Sequence, residues 1–413
     1  MTLQLASRLG TVKPAATMAA KLVVDRLRAT GKTIVDFTIG EPDFPTPDHI
    51  VAGGISALST GKTRYTAPGG IQPLREAIAQ KLLRENGLHF SPDEIVVGAG
   101  AKQIIYSALG ATLNPDDEVI VPAPYWVSYP DIVSLHGGVP IIVSCGVETG
   151  FKLTPAALER AITPRTRWLI LNSPGNPTGA VYTRAELEGL AAVLRAHPHV
   201  WVMTDEIYEH FVYGGAEHVS LLSAASDLGP RTLIVNGMSK AYAMTGWRVG
   251  YGAGPLKLVK AITLLSAQTT SCVTTVSQIA ATIALNGSQA CVEEAVALFH
   301  QRRDRMIALL GGIPGLMCSP PDGAFYAFPS VSGLIGAVTP QGKTLVSDLD
   351  VTLYFLEHAG VAAIDGNAYG APSYLRMSFA TSIEQIEFGC NALKKAAEAC
   401  TFPLSKNTEQ SDA

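Results

Sequence analysis

The chain is 413 residues long, 47% hydrophobic and 16% charged, with a formal net charge of −4 at pH 7. That length and apolar content allow one large core or two smaller ones and exclude a disordered chain. The weakly acidic balance, with a pI near 6.1, provides no basic field for nucleic acid or an anionic membrane, so neither is expected as a partner and any anion must be held locally.

From the N-terminus, "MTLQLASRLGTVKPAATMAAKLVV" lacks the long apolar run of a signal peptide, and no stretch reaches the roughly 18 apolar residues of a membrane span. Residues 1–45 are expected to pack back on the C-terminal part of the fold. Between 46 and 297, seven short apolar runs alternate with helix-period segments: "EIVVGAG", "EVIVPAP", "PIIVS", "RWLILNSP", "VWVMTDE", "TLIVNGMSK" and "RVGYGAG". Continuous apolar strands separated by helices predict an α/β fold, with a mainly parallel seven-stranded sheet covered on both faces. Past 297 the pattern changes. "EEAVALFHQRRDRMIALL" predicts a charged helix, followed by "GAFYAFPS", a helix around 348–359, the strand "YLRMSFA" and a last helix from 382 to 400. Residues 298–400 therefore predict a smaller α+β domain completed by the N-terminal segment, and the polar tail 401–413 is expected to fray. The six cysteines (Cys145, Cys272, Cys291, Cys318, Cys390, Cys400) form no CxxC pair, and the nine histidines show no ligand spacing. Free thiols in a reducing, cytoplasmic setting and no metal are the expectation.

Ligands of open α/β sheets collect outside the carboxyl ends of the strands. Asp205 ends "VWVMTD", "NSPGNPTG" follows "WLIL", Gly100, Ala101 and Lys102 open the helix after "EIVVGAG", and Lys240 follows "TLIVNGMS". Lys240 stands among small and apolar residues, with Arg248 eight positions on. An amine in an apolar, electropositive pocket is shifted toward its neutral, nucleophilic form; the competing reading is an ordinary solvated lysine. Taken alone, Asp205 also suits the N-cap of a helix over "TDEIYE", "GNPTG" an ordinary turn, and Trp126, Tyr208 and Tyr65 core or strand aromatics.

Seven segments resemble, in order and spacing, the class I, fold type I aminotransferases that use pyridoxal 5′-phosphate (PLP): "GEPDF", "TRYTAPGG", "PAPYWVSYP", "NSPGNPTG", "TDEIYEHFVY", "SKAYAMTGWRVGY" and "YLRMSFA". The resemblance runs from about residue 9 to 400, and several motifs in one order are far more specific than any one alone. It implies a large PLP-binding domain over 46–297 and a small domain built from both termini. It also implies that Lys240 is the amine that forms the Schiff base with the cofactor aldehyde and that Asp205 pairs with the pyridine nitrogen. Asn176 and Tyr208 would hydrogen-bond the phenolic oxygen, and Trp126 would stack on the ring. Gly100, Ala101 and Lys102 at a helix N-terminus, with Ser239 and Arg248, would cradle the phosphate. Many relatives carry a serine three residues before the lysine, where this chain has Gly237. Tyr65 would reach the phosphate of a neighbouring subunit, which implies an obligate homodimer with shared sites. Ala123-Pro124 and Asn176-Pro177 are candidate cis peptides by the same likeness.

For the substrate, Arg376 resembles the bidentate clamp on the α-carboxylate, assisted by the backbone of Gly40. No arginine lies between Arg248 and Arg302 to hold a distal carboxylate, whereas "VKPAAT" and "GAGAKQ" are similar to subgroup Iβ, in which Thr17 and Lys102 would face it. Dicarboxylic amino acids and 2-oxo acids follow as substrates, with L-aspartate and 2-oxoglutarate exchanged by a ping-pong route; some relatives of this subgroup also aminate prephenate. Rival readings are another PLP reaction on the same fold, such as a β-lyase, a cyclase or an aromatic transaminase, and a PLP-sensing regulator. The regulator would need a basic DNA-binding extension, for which a match beginning near residue 9 leaves no room.

Overall fold

The computed structural model describes residues 4–12, 16–29 and 31–402. The seven apolar runs form one sheet: β1 (Ile95–Gly98), β2 (Glu118–Ala123), β3 (Val139–Ser144), β4 (Thr166–Asn172), β5 (Trp201–Asp205), β6 (Thr232–Gly237) and β7 (Gly250–Ala253). Their order across the sheet is β1-β7-β6-β5-β4-β2-β3, and only β7 runs against its neighbours, β1 and β6. The inner strands are apolar on both sides because both sides are covered, whereas the edge strand β3 leaves Val139 and Ile142 exposed. In β4, Trp168 and Ile170 join one cluster while Leu169 and Leu171 join the other. The first cluster is completed by Ile104, Ile105 and Leu109 of the helix Ala101–Thr112 and by Leu258 and Ile262 of Leu256–Thr269. The second is completed by the helices Gln72–Asn86, Arg184–Ala196 and Thr275–Asn286. Each fully buried aliphatic side chain contributes about 1.5–3 kcal/mol relative to exposure.

β7 reads "GYGA" for a steric reason. A Cβ on Gly250 would come within 2.2 Å of the Ala101 nitrogen. The glycine lets the N-terminus of the helix Ala101–Thr112 sit directly on the end of β7, at the carboxyl edge of β1 and β6, where a ligand would lie.

The remaining elements form a second layer. The helices Ala290–Leu310 and Ile383–Glu398 share an apolar cluster with an antiparallel sheet of Tyr326–Ala327, Ile364–Asp365 and Leu375–Ser378. From the N-terminal segment, Val35–Asp36 pairs in parallel with Val361–Ala362, and Val24 and Ile34 pack on Leu356. The turn Ser7–Thr11 departs from the expected packing of residues 1–45: it lies against the helix Ser128–Leu135 on the large sheet. The helix expected around 348–359 is α-helical over Asp348–Tyr354 and widens to a π-turn over Phe355–Ala359. The expected tail starts later than residue 401, since Thr401 exchanges backbone hydrogen bonds with Val338, and 403–413 lie outside the described residues. Among the described residues, no helix is long and apolar enough to cross a membrane.

Two contacts tie the layers together beside the sheet's carboxyl edge. Arg302 grips Asp43 with two hydrogen bonds, 2.6 and 2.9 Å, which pins the segment "GEPD" to the helix Ala290–Leu310. Phe211, six residues past the end of β5, stacks edge-on against Phe299 with ring centroids 5.2 Å apart.

Candidate active site

A cavity of about 610 Å³ opens at the carboxyl ends of the central strands. Of the residues singled out from sequence, Gly40, Ala101, Lys102, Trp126, Asn176, Asp205, Tyr208, Ser239, Lys240, Arg248 and Arg376 all line it. Gly100 sits just behind the wall as the cap of the helix Ala101–Thr112 with φ 84°, a conformation that favours glycine, and a Cβ there would lie 2.3 Å from the Arg248 guanidinium. Tyr65 stands apart: it is 88% exposed in an irregular segment rather than a strand. Thr17 lies outside the residues whose side chains are described.

Lys240 is partly buried, and its Nζ donates a 2.5 Å hydrogen bond to the Gly40 carbonyl. Burial above all, helped by the positive charges of Arg376 and Arg248 and opposed by Glu41 and Asp205, lowers its pKa from 10.5 to about 8. The solvated-lysine reading is thereby excluded: the amine lies above the rings of Phe325 and Tyr208, 5.7 and 5.8 Å from their centroids.

Asp205 ends β5, buried, with Tyr129 donating to its Oδ2 at 2.7 Å. Burial raises its pKa from 3.8 to about 6 in spite of that hydrogen bond. The N-cap alternative fails because residues 207–210 form a turn and not a helix, with only a long 3.4 Å contact from the Ile207 N–H. Tyr208 lies three residues on, its hydroxyl 2.8 Å from that of Tyr326.

Arg376, from the strand Leu375–Ser378, is the most deeply buried cation of the cavity at 2% exposure. It donates to the Thr38 carbonyl at 2.6 Å and to Asn176 Oδ1 at 3.3 Å, and its guanidinium lies 4.5 Å from the Tyr326 ring centroid and 5.4 Å from that of Tyr369. Its Nε is buried without a partner. Since Asn176 offers its oxygen to Arg376, its amide nitrogen is the end left to donate into the cavity. Asn176-Pro177 and Ala123-Pro124 are both cis, as is Ser173-Pro174.

At the other end of the cavity, Arg248 adopts φ 58°, unusual for a side-chain-bearing residue, and is fixed by the carbonyls of Thr245 (2.8 Å) and Ala99 (3.2 Å). Lys102 places its Nζ 4.7 Å from the centre of the Trp126 ring; burial first and then Arg248 lower its pKa. Gly237 is closed in by backbone, because a Cβ there would lie 2.8 Å from both Gly250 Cα and Val249 O.

Sequence reasoning missed several lining residues. Tyr129, the partner of Asp205, falls one helical turn after Trp126 in "YWVSYP", a spacing that aligns the two on one face. Asn172 is the last residue of β4 and lies in register with Asp205, a position legible as a strand end before a proline. Tyr326 carried no signal in "GAFYAFPS" that separates it from a core aromatic. Glu41, whose carboxylate accepts a 2.6 Å hydrogen bond from Thr245, stands beside Gly40 in "GEPDF" with no local pattern to mark it as a lining residue.

Comparison with known proteins agrees with this geometry. Residues 32–393 match the profile of the family described as aminotransferase class I and II. An aspartate/prephenate aminotransferase of Cereibacter sphaeroides is 47% identical over 386 residues, covering 94% of this chain and 96% of that protein. The crystal structure of the aspartate aminotransferase from Rhizobium meliloti superposes with a TM-score of 0.95 at 44% identity, covering 97% of this chain and all of that one. An aspartate aminotransferase from Thermus thermophilus solved with maleate superposes with a TM-score of 0.89 at 41% identity, covering 96% and 100% of the two chains.

Proposed function

The chain belongs to the class I and II aminotransferases, and from that membership we propose that it carries the amino group of L-aspartate to 2-oxoglutarate, giving oxaloacetate and L-glutamate, with pyridoxal 5′-phosphate as cofactor. The observation that carries the reading is the convergence of Lys240, Asp205 and Arg376 on one cavity. An amine with a lowered pKa, a buried carboxylate and a guanidinium with N–H donors to spare are what a PLP-dependent exchange of amino groups on an α-amino acid requires.

The cofactor fits the residues present. Lys240 would hold its aldehyde carbon and Asp205 its ring nitrogen; Asn176 and Tyr208 would hold the phenolic oxygen and Trp126 the ring face. The N–H groups of Gly100, Ala101 and Lys102, Ser239 and the Arg248 guanidinium would hold the phosphate. The close approach of Gly100 to Arg248 leaves no room there for a side chain. When bound, PLP supplies an electron-accepting ring that takes up the electron pair of the substrate Cα–H bond. Asp205, ionised above pH 6, holds the proton on the ring nitrogen. Lys240 Nζ would take the proton from the substrate Cα and deliver it to the cofactor carbon that receives the amino group, and would carry it the opposite way in the second half-reaction. Arg376 orients the α-carboxylate so that the Cα–H bond faces that amine, with Gly40 beside it. Both substrates use one cavity in turn, which makes the route ping-pong.

Dicarboxylic specificity rests on Lys102, a second cation of the cavity besides Arg376, together with Thr17. The maleate in the Thermus thermophilus structure is a dicarboxylate of the same kind. The Cereibacter sphaeroides relative, an aspartate/prephenate aminotransferase, favours prephenate as a second acceptor. Tyr65 is exposed, as are Ile55, Leu58 and Leu264 on the helices Asp48–Ser59 and Leu256–Thr269, which supports a homodimer in which Tyr65 serves the neighbouring site. All six cysteines are free thiols, which supports a cytoplasmic location.

The test is to mix the PLP-loaded protein with aspartate and no acceptor. One equivalent of oxaloacetate per site is expected, with loss of the protein's visible absorption band. A protein that binds PLP and releases no oxaloacetate is not an aspartate aminotransferase. A steady-state panel of aspartate, glutamate, phenylalanine and prephenate then ranks the substrates.

A further inference from the structure

Behind the cavity lies a buried ionic network that the reaction does not use directly. Glu209 follows Tyr208 and is 6% exposed; Lys81, 1% exposed, comes from the helix Gln72–Asn86 and donates to Glu209 Oε1. The same Oε1 accepts 2.6 Å from the side chain of Asn236, while Oε2 accepts 2.9 Å from Asn86. Asn236, the penultimate residue of β6, turns its own Oδ1 onto the N–H of Gly237 at 2.7 Å. Glu206, beside Asp205, is held in parallel by Ser220 at 2.7 Å and His218 at 3.3 Å.

The sequence 205–209 thus faces two ways. Asp205 and Tyr208 point into the cavity, and Glu206 and Glu209 point into the network. The segment after Asp205 is a turn with little backbone bonding of its own, chiefly Glu206 N to Val235 O and Glu209 N to Glu206 O, each 2.9 Å. A site carried on a turn keeps its geometry only where neighbouring side chains lock it. Three carboxylates, Glu85, Glu206 and Glu209, are matched in this network by Lys81 and the two histidines His210 and His218. Two trios of these groups bring ligand-type atoms within 4.8 Å of one another, and the Lys81 ammonium is the cation that Glu85 and Glu209 share. A metal would have to displace it, so the network is read as a frame.

We propose that Glu209, with Lys81 and Asn236, is a positioning residue for the transamination site: its one carboxylate ties the turn that carries Asp205 and Tyr208 to the end of β6, from which the chain runs to Lys240. The proposal rests on the aminotransferase reading above. Burial alone would raise the Glu209 carboxyl, but Lys81 foremost, with His210 and His218, holds it well below the carboxylate range, so the carboxylate end of the tie is ionised at neutral pH.

The test compares Glu209→Gln and Asn236→Ala with wild type. Three quantities are read: the PLP dissociation constant of the apo-protein, by quenching of intrinsic fluorescence, and kcat and KM for aspartate in the loaded enzyme. In each folded variant PLP binding is expected to weaken and kcat to fall, each about 10-fold. That is the lower end of the scale seen when groups behind a first layer of ligands are removed in metal sites. KM for aspartate should stay within about twofold, since Arg376 belongs to a separate strand and bonds to other groups. Asn236→Ala removes no charge and keeps the test open where Glu209→Gln does not fold. Wild-type PLP affinity and kcat in a variant whose melting temperature alone has fallen would reduce the network to a stability device and overturn the proposal. A wild type that binds no PLP would instead sink the functional reading itself.

Discussion

Asp205→Asn tests the electrostatics of the site in the absence of cofactor, where the side chain has only protein around it. The folded chain raises the Asp205 carboxyl from 3.8 to about 6 through burial. The folded state therefore binds that proton more tightly than the unfolded state, and ionising the group costs folding free energy. Nothing is lost below pH 3.8, the loss grows as pH climbs through this interval, and above 6 it is complete. At about 1.4 kcal/mol per pH unit the full penalty is about 3 kcal/mol. Asparagine carries no charge and still accepts from Tyr129, but it gives up the weak contact with the Ile207 N–H, which costs about 1 kcal/mol. The apo-variant is thus expected to be more stable than apo-wild type by about 2 kcal/mol at pH 7.5, a rise of a few degrees in Tm. Well below pH 3.8, where the wild-type carboxyl is protonated in both states, the order should reverse by about 1 kcal/mol. Calorimetry of both apo-proteins across that range, at fixed protein concentration, reads the effect. The loaded variant should at the same time lose at least about 100-fold in kcat, as when a preorganised charge contact is removed from a transition state. An apo-variant less stable than wild type at pH 7.5, or a gain that persists unchanged at pH 4, refutes the account of Asp205.

Arg376→Lys replaces a planar fork by a point charge and is expected to lower kcat/KM for aspartate about 100-fold, or about 3 kcal/mol; a loss below tenfold in steady-state assays would remove Arg376 from the role of carboxylate clamp. Lys102→Met should raise KM for aspartate and 2-oxoglutarate by about 10- to 100-fold, the worth of a charge-assisted hydrogen bond, and leave KM for phenylalanine unchanged; equal effects on both substrate types would mean that Lys102 serves only the cofactor. Gly237→Ser restores the residue found in many relatives but drives a Cβ to 2.8 Å from two backbone atoms of β7 and its approach. A loss of about 1–3 kcal/mol in stability with no gain in PLP affinity is expected, and tighter PLP binding at unchanged Tm would show that the backbone gives way there.

How much of this could be read from the chain differs by element. The seven strands were legible because a sheet covered on both faces needs uninterrupted apolar runs, and runs such as "RWLILN" and "TLIVNG" have no other economical use. Lys240 and Asp205 were legible because polar residues directly after such runs mark the ligand edge. Tyr129 and Tyr326 were not, since a tyrosine in an apolar segment looks the same whether its hydroxyl meets a catalytic carboxylate or a core carbonyl. The structure supplies both cases: Tyr129 bonds Asp205, and Tyr213 bonds the Ala324 carbonyl at 2.5 Å. The N-cap reading of Asp205 failed for a related reason: "TDEIYE" has the local preference for a helix start, but the aromatic anchors Tyr208 and Phe211, set into the second layer's core, impose a turn. The pairing of Lys81 with Glu209, 128 residues apart, lies beyond any local pattern.

The direction of the pKa shift separates Asp205 from Glu209. Glu209 and Asp205 are both buried carboxylates four residues apart, yet Lys81 and its neighbours pull the first below its ordinary range, whereas burial lifts the second to about 6. Glu209 has its counter-charge built into the fold, so its ionisation favours the native state; for Asp205 the Tyr129 hydroxyl, the long Ile207 contact and Lys240 together do not offset burial, so its ionisation opposes it. Lys240 is the mirror case. Its pKa is lowered, so the native state loses stability as pH falls from 10.5 and bears the whole loss below about 8. Between pH 6 and 8 both losses are therefore complete. A ligand that brings a cationic ring nitrogen to Asp205 and consumes the amine of Lys240 removes both at once, so part of its binding free energy is strain already present in the empty fold. That is the behaviour of a site arranged for a partner outside the chain, and no structural ion pair of the molecule has reason to share it.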